Sequence, residues 1–215
     1  MSVPIEDTVM WIVVAWPLLL AIPVIHKHLR WPCHLAIIPA VILALMPGDA
    51  TLELPWLQFG TVFAIDETVR WLLVMCAAIW LMAATVRKPS MSSPGNDRTT
   101  TIFLLTLTGN LGAVLAADLV SFFSFSTLMG YGFYALLVQG GNKEVRRAAH
   151  FYLIFLIIAD LALFEALLLA ASTTEDLRYA VVRQVITDTE SWQFYYWMAF
   201  VAFMLKAGIW PFHLW

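Results

Sequence analysis

Apolar residues in this chain arrive in runs of about twenty, the length at which a helix crosses the hydrocarbon core of a bilayer. The runs cover Thr8 to Ile25, Trp31 to Met46, Val69 to Val86, Thr99 to Ala117, Leu119 to Val138, Ala148 to Ala171 and Phe194 to Trp215. They take up most of the 215 residues, and with 61% hydrophobic against 13% charged residues little is left for a soluble catalytic domain. The fold class expected is an all-α polytopic membrane protein, a single membrane domain over 1–215 with about seven transmembrane helices. Two outer connections carry structure of their own. Residues 51–65, around Pro55, Trp56 and Gly60, read as an interfacial hairpin. Residues 176–186 place Leu177, Ala180, Val181 and Val185 on one face, as a short amphipathic helix lying on the membrane would.

Loop charge sets the expected orientation, because cytoplasmic connections retain lysine and arginine. Lys27, Arg30, Arg87, Lys88, Arg98, Lys143, Arg146 and Arg147 fall on one side, and Arg70, Arg178 and Arg183 on the other. The N-terminus is therefore expected outside and Trp215 near the cytoplasmic side. The acidic stretch Met1 to Asp7 has no cleavage site, so a removable signal peptide is not expected. Net charge of −3 argues against nucleic acid as a partner. Cys33 and Cys76 have no metal or disulfide spacing, and His26, His28 and His34 near Cys33 are too loosely spaced for a metal and read as interfacial residues. Metalloprotease, nucleophile-elbow and phosphate-loop spacings do not occur, so neither a cofactor nor catalytic chemistry of the chain's own is expected.

Ionisable groups at membrane depth are costly and so point to function. Lys206, 12 residues beyond Phe194, lies ~18 Å into the last run and reads as a protonatable relay. Asp160, ten residues beyond His150 and about 15 Å inward from the other side, reaches a similar depth. It serves either as a relay partner or as a structural hydrogen-bond acceptor. Glu165, roughly 140° further round that helix, reads as structural. Thr106, Asn110, Ser124, Ser126 and Thr127 either pack helix against helix or line a hydrated path.

The segment Phe203-Met204-Leu205-Lys206-Ala207-Gly208-Ile209-Trp210-Pro211-Phe212-His213-Leu214-Trp215 resembles the lysine-bearing seventh helix of the antiporter-like subunits of respiratory complex I and multisubunit cation/proton antiporters. Pro55-Trp56 through Asp66 and Arg70 is similar to that family's outer hairpin and third helix, Asp118 to Tyr131 to its fifth helix, and Ala148-Ala149-His150 followed by Asp160 to its sixth. The resemblance implies the first half of a fourteen-helix fold, a proton relay through Lys206 with His213 in the same run, and other subunits of a membrane complex as partners. Protons or small cations and the lipid bilayer complete that list, with a bacterial-type inner membrane as the location. Two departures stand out. Phe125-Ser126-Thr127-Leu128 puts Thr127 where the family has the glutamate that holds the lysine charged. The chain also stops inside the seventh helix, so it is expected to be a fragment, or a subunit whose remainder another chain supplies.

The function expected on this resemblance is proton conduction that energises a coupled reaction. The alternatives are a transport-inactive structural anchor, or a membrane subunit energising bicarbonate uptake or a hydrogenase partner.

Overall fold

A computed structural model describes residues 5–29, 31–58, 60–86, 94–187 and 192–209. The chain runs α1 (Ile5–Leu20), α2 (Pro23–His26), α3 (Pro32–Leu35), α4 (Ile38–Leu45), β1 (Ala50–Leu54), β2 (Thr61–Ile65), α5 (Glu67–Val86), α6 (Pro94–Leu115), α7 (Leu119–Gly140), α8 (Lys143–Thr173), α9 (Tyr179–Thr187) and α10 (Trp192–Lys206). Among the described residues, Glu67–Val86, Leu119–Gln139 and Lys143–Thr173 are long and apolar enough to cross a membrane. Their outward faces are apolar: Trp71, Met75, Ile79 and Met82 on α5 and Ile154, Ile157 and Leu161 on α8 are all exposed. This is the surface of a multi-pass membrane protein.

Proline decides where the first two apolar runs break. Pro17 sits inside α1, but Pro23 cannot continue the helix and instead starts α2. The run from Trp31 to Met46 was expected as one helix and is two, because Pro32 opens α3 and Pro39 sits in the first turn of α4. The α8 helix starts five residues before the expected Ala148. Asn142 caps it, its side-chain oxygen accepting from the amides of Glu144 and Val145 at 3.1 and 3.0 Å.

Strands β1 and β2 pair antiparallel, with Ala50 opposite Ile65 and Leu54 opposite Thr61, as the hairpin reading requires. Alternate residues Thr61, Phe63 and Ile65 turn into the protein. Phe63 is fully buried and stacks on Phe125 of α7 at 5.7 Å between ring centres. The hairpin is thus anchored in the core rather than resting on the membrane surface.

Asp118 joins this hairpin to the helices. It caps α7, its Oδ1 accepting from the Ser121 amide at 2.8 Å, while Oδ2 accepts from Ser121 Oγ at 2.6 Å and from the Val62 amide of β2 at 2.8 Å. The residues before it bond on both sides, Ala117 N–H to Val62 and Tyr179 N–H to the Ala117 carbonyl. The α9 helix spans Tyr179–Thr187 and buries a different face from the one expected: Val182 and Ile186 are buried against Ala170 of α8, while Ala180 is exposed. Contact with protein selected that face.

Candidate functional site

The site grows from α7, α8 and α10, with α7 and α8 antiparallel. Between α7 and α8, Phe123 meets Phe164, Gly130 faces Leu156, and Tyr134 meets His150. This register advances one residue down α8 for each residue back along α7, and it sets Thr127 level with Asp160. Thr127 also lies three residues before Gly130 and four after Phe123, on the face turned to α8. Its hydroxyl is buried with no hydrogen-bond partner among the described residues. The carboxylate that the sequence lacks on α7 is therefore matched in level by one on α8.

Lys206 Nζ stands 2.7 Å from Asp160 Oδ1, with 14% and 10% of the two side chains exposed. The contact falls outside hydrogen-bond angles, and neither group has another partner among the described residues. The pair is held by charge at short range rather than by an aligned bond. Unused lone pairs and N–H bonds on both partners leave room for a bridging donor or acceptor.

Lys206 is the last residue of α10, short of the expected end at Trp215, and residues 210–215 lie outside the described residues. Gly208 has φ +60°, Ile209 N–H bonds the Met204 carbonyl at 3.2 Å, and Ala207 N–H bonds that of Phe203 at 2.8 Å. This glycine-turned helix end gives backbone carbonyls new donors and places the ammonium at the negative end of the helix dipole. The signal was in the sequence: Ala207-Gly208 followed by Pro211 is a helix stop. Apolarity alone had masked it.

On one side of the pair, a cavity of about 390 Å³ lies between α7, α8 and α10, bounded by Leu163, one turn from Asp160, and Phe203, one turn from Lys206. Phe122 and Phe203 meet there at 5.7 Å. On another side, Tyr131 and Tyr152 lie within electrostatic reach of Asp160, and Tyr152 donates to the Gly130 carbonyl at 3.3 Å. Sequence reading did not single out these tyrosines as site residues. Tyr152 lies eight residues before Asp160, two turns along the same helix, and that spacing was the available signal.

The remaining candidates are elsewhere. Thr106, Ser124 and Ser126 donate to carbonyls of their own helices, those of Ile102, Val120 and Phe123. Asn110 ties three helices, accepting from Trp80 Nε1 of α5 at 2.9 Å and donating to Met129 Sδ of α7 at 3.2 Å. Glu165 is exposed. His213, like Arg30, Arg87 and Lys88 of the charge argument, lies outside the described residues.

Outside the helices that carry the pair, Arg178 clasps the turn before α9. Its Nε and Nη2 reach Asp176, and Nη1 lies 3.5 Å from Glu53 of β1. Arg178 holds the Asp176 carboxyl below its ordinary 3.8, chiefly through the side-chain hydrogen bond. Burial, with Asp118 nearby, pushes the Tyr179 phenol above its ordinary 10.0.

Residues 116–215 match the family described as NADH:quinone oxidoreductase/Mrp antiporter, TM. The chain is 26% identical over 177 residues to a probable K(+)/H(+) antiporter component from Rhizobium meliloti (strain 1021), covering 79% of this chain and 33% of that protein. It thus spans about a third of the length of that relative. In fold it is similar to a chain of the membrane-bound sulfane sulfur reductase, an archaeal respiratory membrane complex, with a TM-score of 0.80 at 17% identity over 96% of this chain and 46% of the other. It is also similar to a chain of the Mrp complex from Dietzia sp. DQ12-45-1b, with a TM-score of 0.72 at 19% identity over 98% of this chain and 24% of the other. The match to that family covers residues 116–215, the segment that bears Asp118, Thr127, Asp160 and Lys206.

Proposed function

We propose that this chain is an antiporter-like subunit of a larger membrane complex that conducts protons through Lys206, with Asp160 taking the part of the missing acid on α7. The observation that carries this reading is the 2.7 Å contact between two largely shielded opposite charges in a membrane domain. An ammonium far from water is disfavoured unless an opposite charge stands beside it. Asp160 supplies that charge, so Lys206 rests protonated against a carboxylate. A proton delivered to Asp160 removes the attraction that holds the ammonium, and Lys206 then releases its own proton onward. Transfer of the proton from Asp160 to the neutral Lys206 across the same contact restores the charged pair, so one proton has entered at Asp160 and one has left beyond Lys206. The tyrosines near Asp160 are candidate donors, and His213, seven residues after Lys206 in the sequence, is a candidate acceptor.

The same reading keeps about seven spans with the N-terminus outside, as the first half of the family's bundle, in a bacterial-type inner membrane. Cysteine labelling from outside should reach a reporter at Glu53 and miss one at Gly95. The reverse accessibility contradicts the orientation. Partners, coupled ion and direction of transport follow from the complex in which the chain works.

The test is proton uptake by vesicles holding the assembled complex. Lys206→Ala and Asp160→Asn should each abolish proton-coupled function with the subunits still assembled. Thr127→Glu combined with Asp160→Asn should restore part of it, since the acid returns at the same level on the neighbouring helix. Wild-type uptake by Lys206→Ala removes the relay. A specific observation favours a second reading, a structural anchor: the hydroxyls of Thr106, Ser124 and Ser126 already serve their own helices. That reading expects unchanged coupling in every one of these variants.

A further inference from the structure

The 31 residues of α8 make a rod about 46 Å long, some 16 Å more than the ~30 Å hydrocarbon core. From Phe151 onward the only charged residues of the helix are Asp160 and Glu165, whereas five of the eight residues from Lys143 to His150 are charged or imidazole, so the excess length falls mainly at its start. Here Lys143, Arg146, Arg147 and His150 recur at helical spacing and form one stripe, which Phe151 and Ile154 continue. These six residues line a groove of about 450 Å³. Lys143, Arg146, Arg147 and His150 are all exposed. None of the three permanent cations has an ion-pair partner among the described residues. His150 Nδ1 is committed to the Arg146 carbonyl at 2.6 Å, which leaves Nε2 available.

We propose that this stripe binds an anionic glycerophospholipid of the surrounding membrane. Its phosphate would lie against Lys143, Arg146 and Arg147 and an acyl chain along Phe151 and Ile154. Charge complementarity selects an anion, and the depth of the stripe selects the headgroup layer. The passage from cations to apolar side chains within one groove matches the ester boundary of a lipid; a free phosphate uses only the upper half. Glu144, the single acid of the first turn, is about 100° round the helix from Lys143 and leaves the stripe's charge unbalanced. The proposal is independent of the Lys206 reading.

The complex containing the full chain is purified in mild detergent and offered phosphatidylglycerol, phosphatidylcholine or inorganic phosphate, with retained lipid weighed by native mass spectrometry. Phosphatidylglycerol should be retained in preference to phosphatidylcholine and should survive millimolar phosphate. Arg146→Gln with Arg147→Gln should weaken its retention roughly 30-fold. Lys143→Gln, at the exposed first residue of the helix, should weaken it several-fold and serves where the double variant does not assemble. Equal retention of the two lipids, unchanged retention in these variants or displacement by phosphate overturns the proposal. So does a neighbouring subunit's acidic segment cross-linking to Arg147 in the intact complex, which would make the groove a protein interface.

Discussion

The α6/α7 and α8/α10 interfaces lie a few residues apart in the same domain and solve opposite problems. Between α6 and α7 the helices are close enough to exclude any larger side chain. A methyl on Gly109 would stand 2.5 Å from the Met129 amide nitrogen, and one on Gly112 would collide with the Phe125 ring. Thr106 and Thr108 turn their hydroxyls to carbonyls of their own helix, so neither needs a partner across the interface. Between α8 and α10 the contact is made by an ion pair out of hydrogen-bond alignment. A glycine-tight interface has one arrangement available, whereas a charge pair changes its attraction whenever a proton comes or goes. The first suits a scaffold and the second a moving part.

Breaking the pair from one side should give the largest effect. Asp160→Leu leaves a shielded ammonium without a counter-charge and should lower stability by about 3–5 kcal/mol, while adding Lys206→Met should recover most of it. Thermal unfolding in a single detergent checks both, and a double variant no more stable than Asp160→Leu would mean the pair is not the source. Gly109→Ala comes next, because its obstacle is backbone, with a loss of about 1–3 kcal/mol. Gly130→Ala meets only the flexible end of Leu156 and should lose less. If the two alanine variants unfold together, the α6/α7 contact is no more rigid than the α7/α8 contact.

Asp118→Ala removes both the cap of α7 and the acceptor for Val62, and should cost about 2 kcal/mol, with faster amide exchange in β2 as its local sign. The smallest effect concerns the Arg178 clasp. The folded Asp176 carboxyl titrates below its ordinary 3.8, so its contribution is complete above that value and is lost as pH falls through the folded value. The protection factor of the Tyr179 amide, its exchange relative to the intrinsic rate at each pH, should therefore fall below about pH 4 in the wild type. Asp176→Asn should show no such dependence.

Much of the scaffold could be read locally. Apolar run lengths located the helices, the Pro55 to Gly60 turn located the hairpin, and the helix stop after Lys206 was written in Gly208 and Pro211 even though apolarity hid it. The face of α9 was misread because several faces of a short apolar helix satisfy the same periodicity, and only packing against Ala170 chooses Val182 and Ile186. Asp118 entered only as the first residue of the stretch similar to the family's fifth helix, although an aspartate three residues before Ser121 at the head of an apolar run is a capping signal.

The sequence by itself determined that this chain belongs in a membrane, that Lys206 is an ionisable group inside an apolar run, and that Thr127 supplies no charge on α7. Those are properties of single residues and of 3.6-residue periodicity. Only the tertiary structure decided that Asp160 is the acid that meets Lys206. That contact joins residues far apart in the chain, and it depends on how α8 slides against α7 and α10. The slide is set by Gly130 against Leu156 and by ring contacts at Phe123, Phe164, Phe122 and Phe203, each a matter of side-chain volume across an interface. One turn of slip along α8 would move Asp160 about 5 Å and leave the lysine alone, at no change in any local pattern.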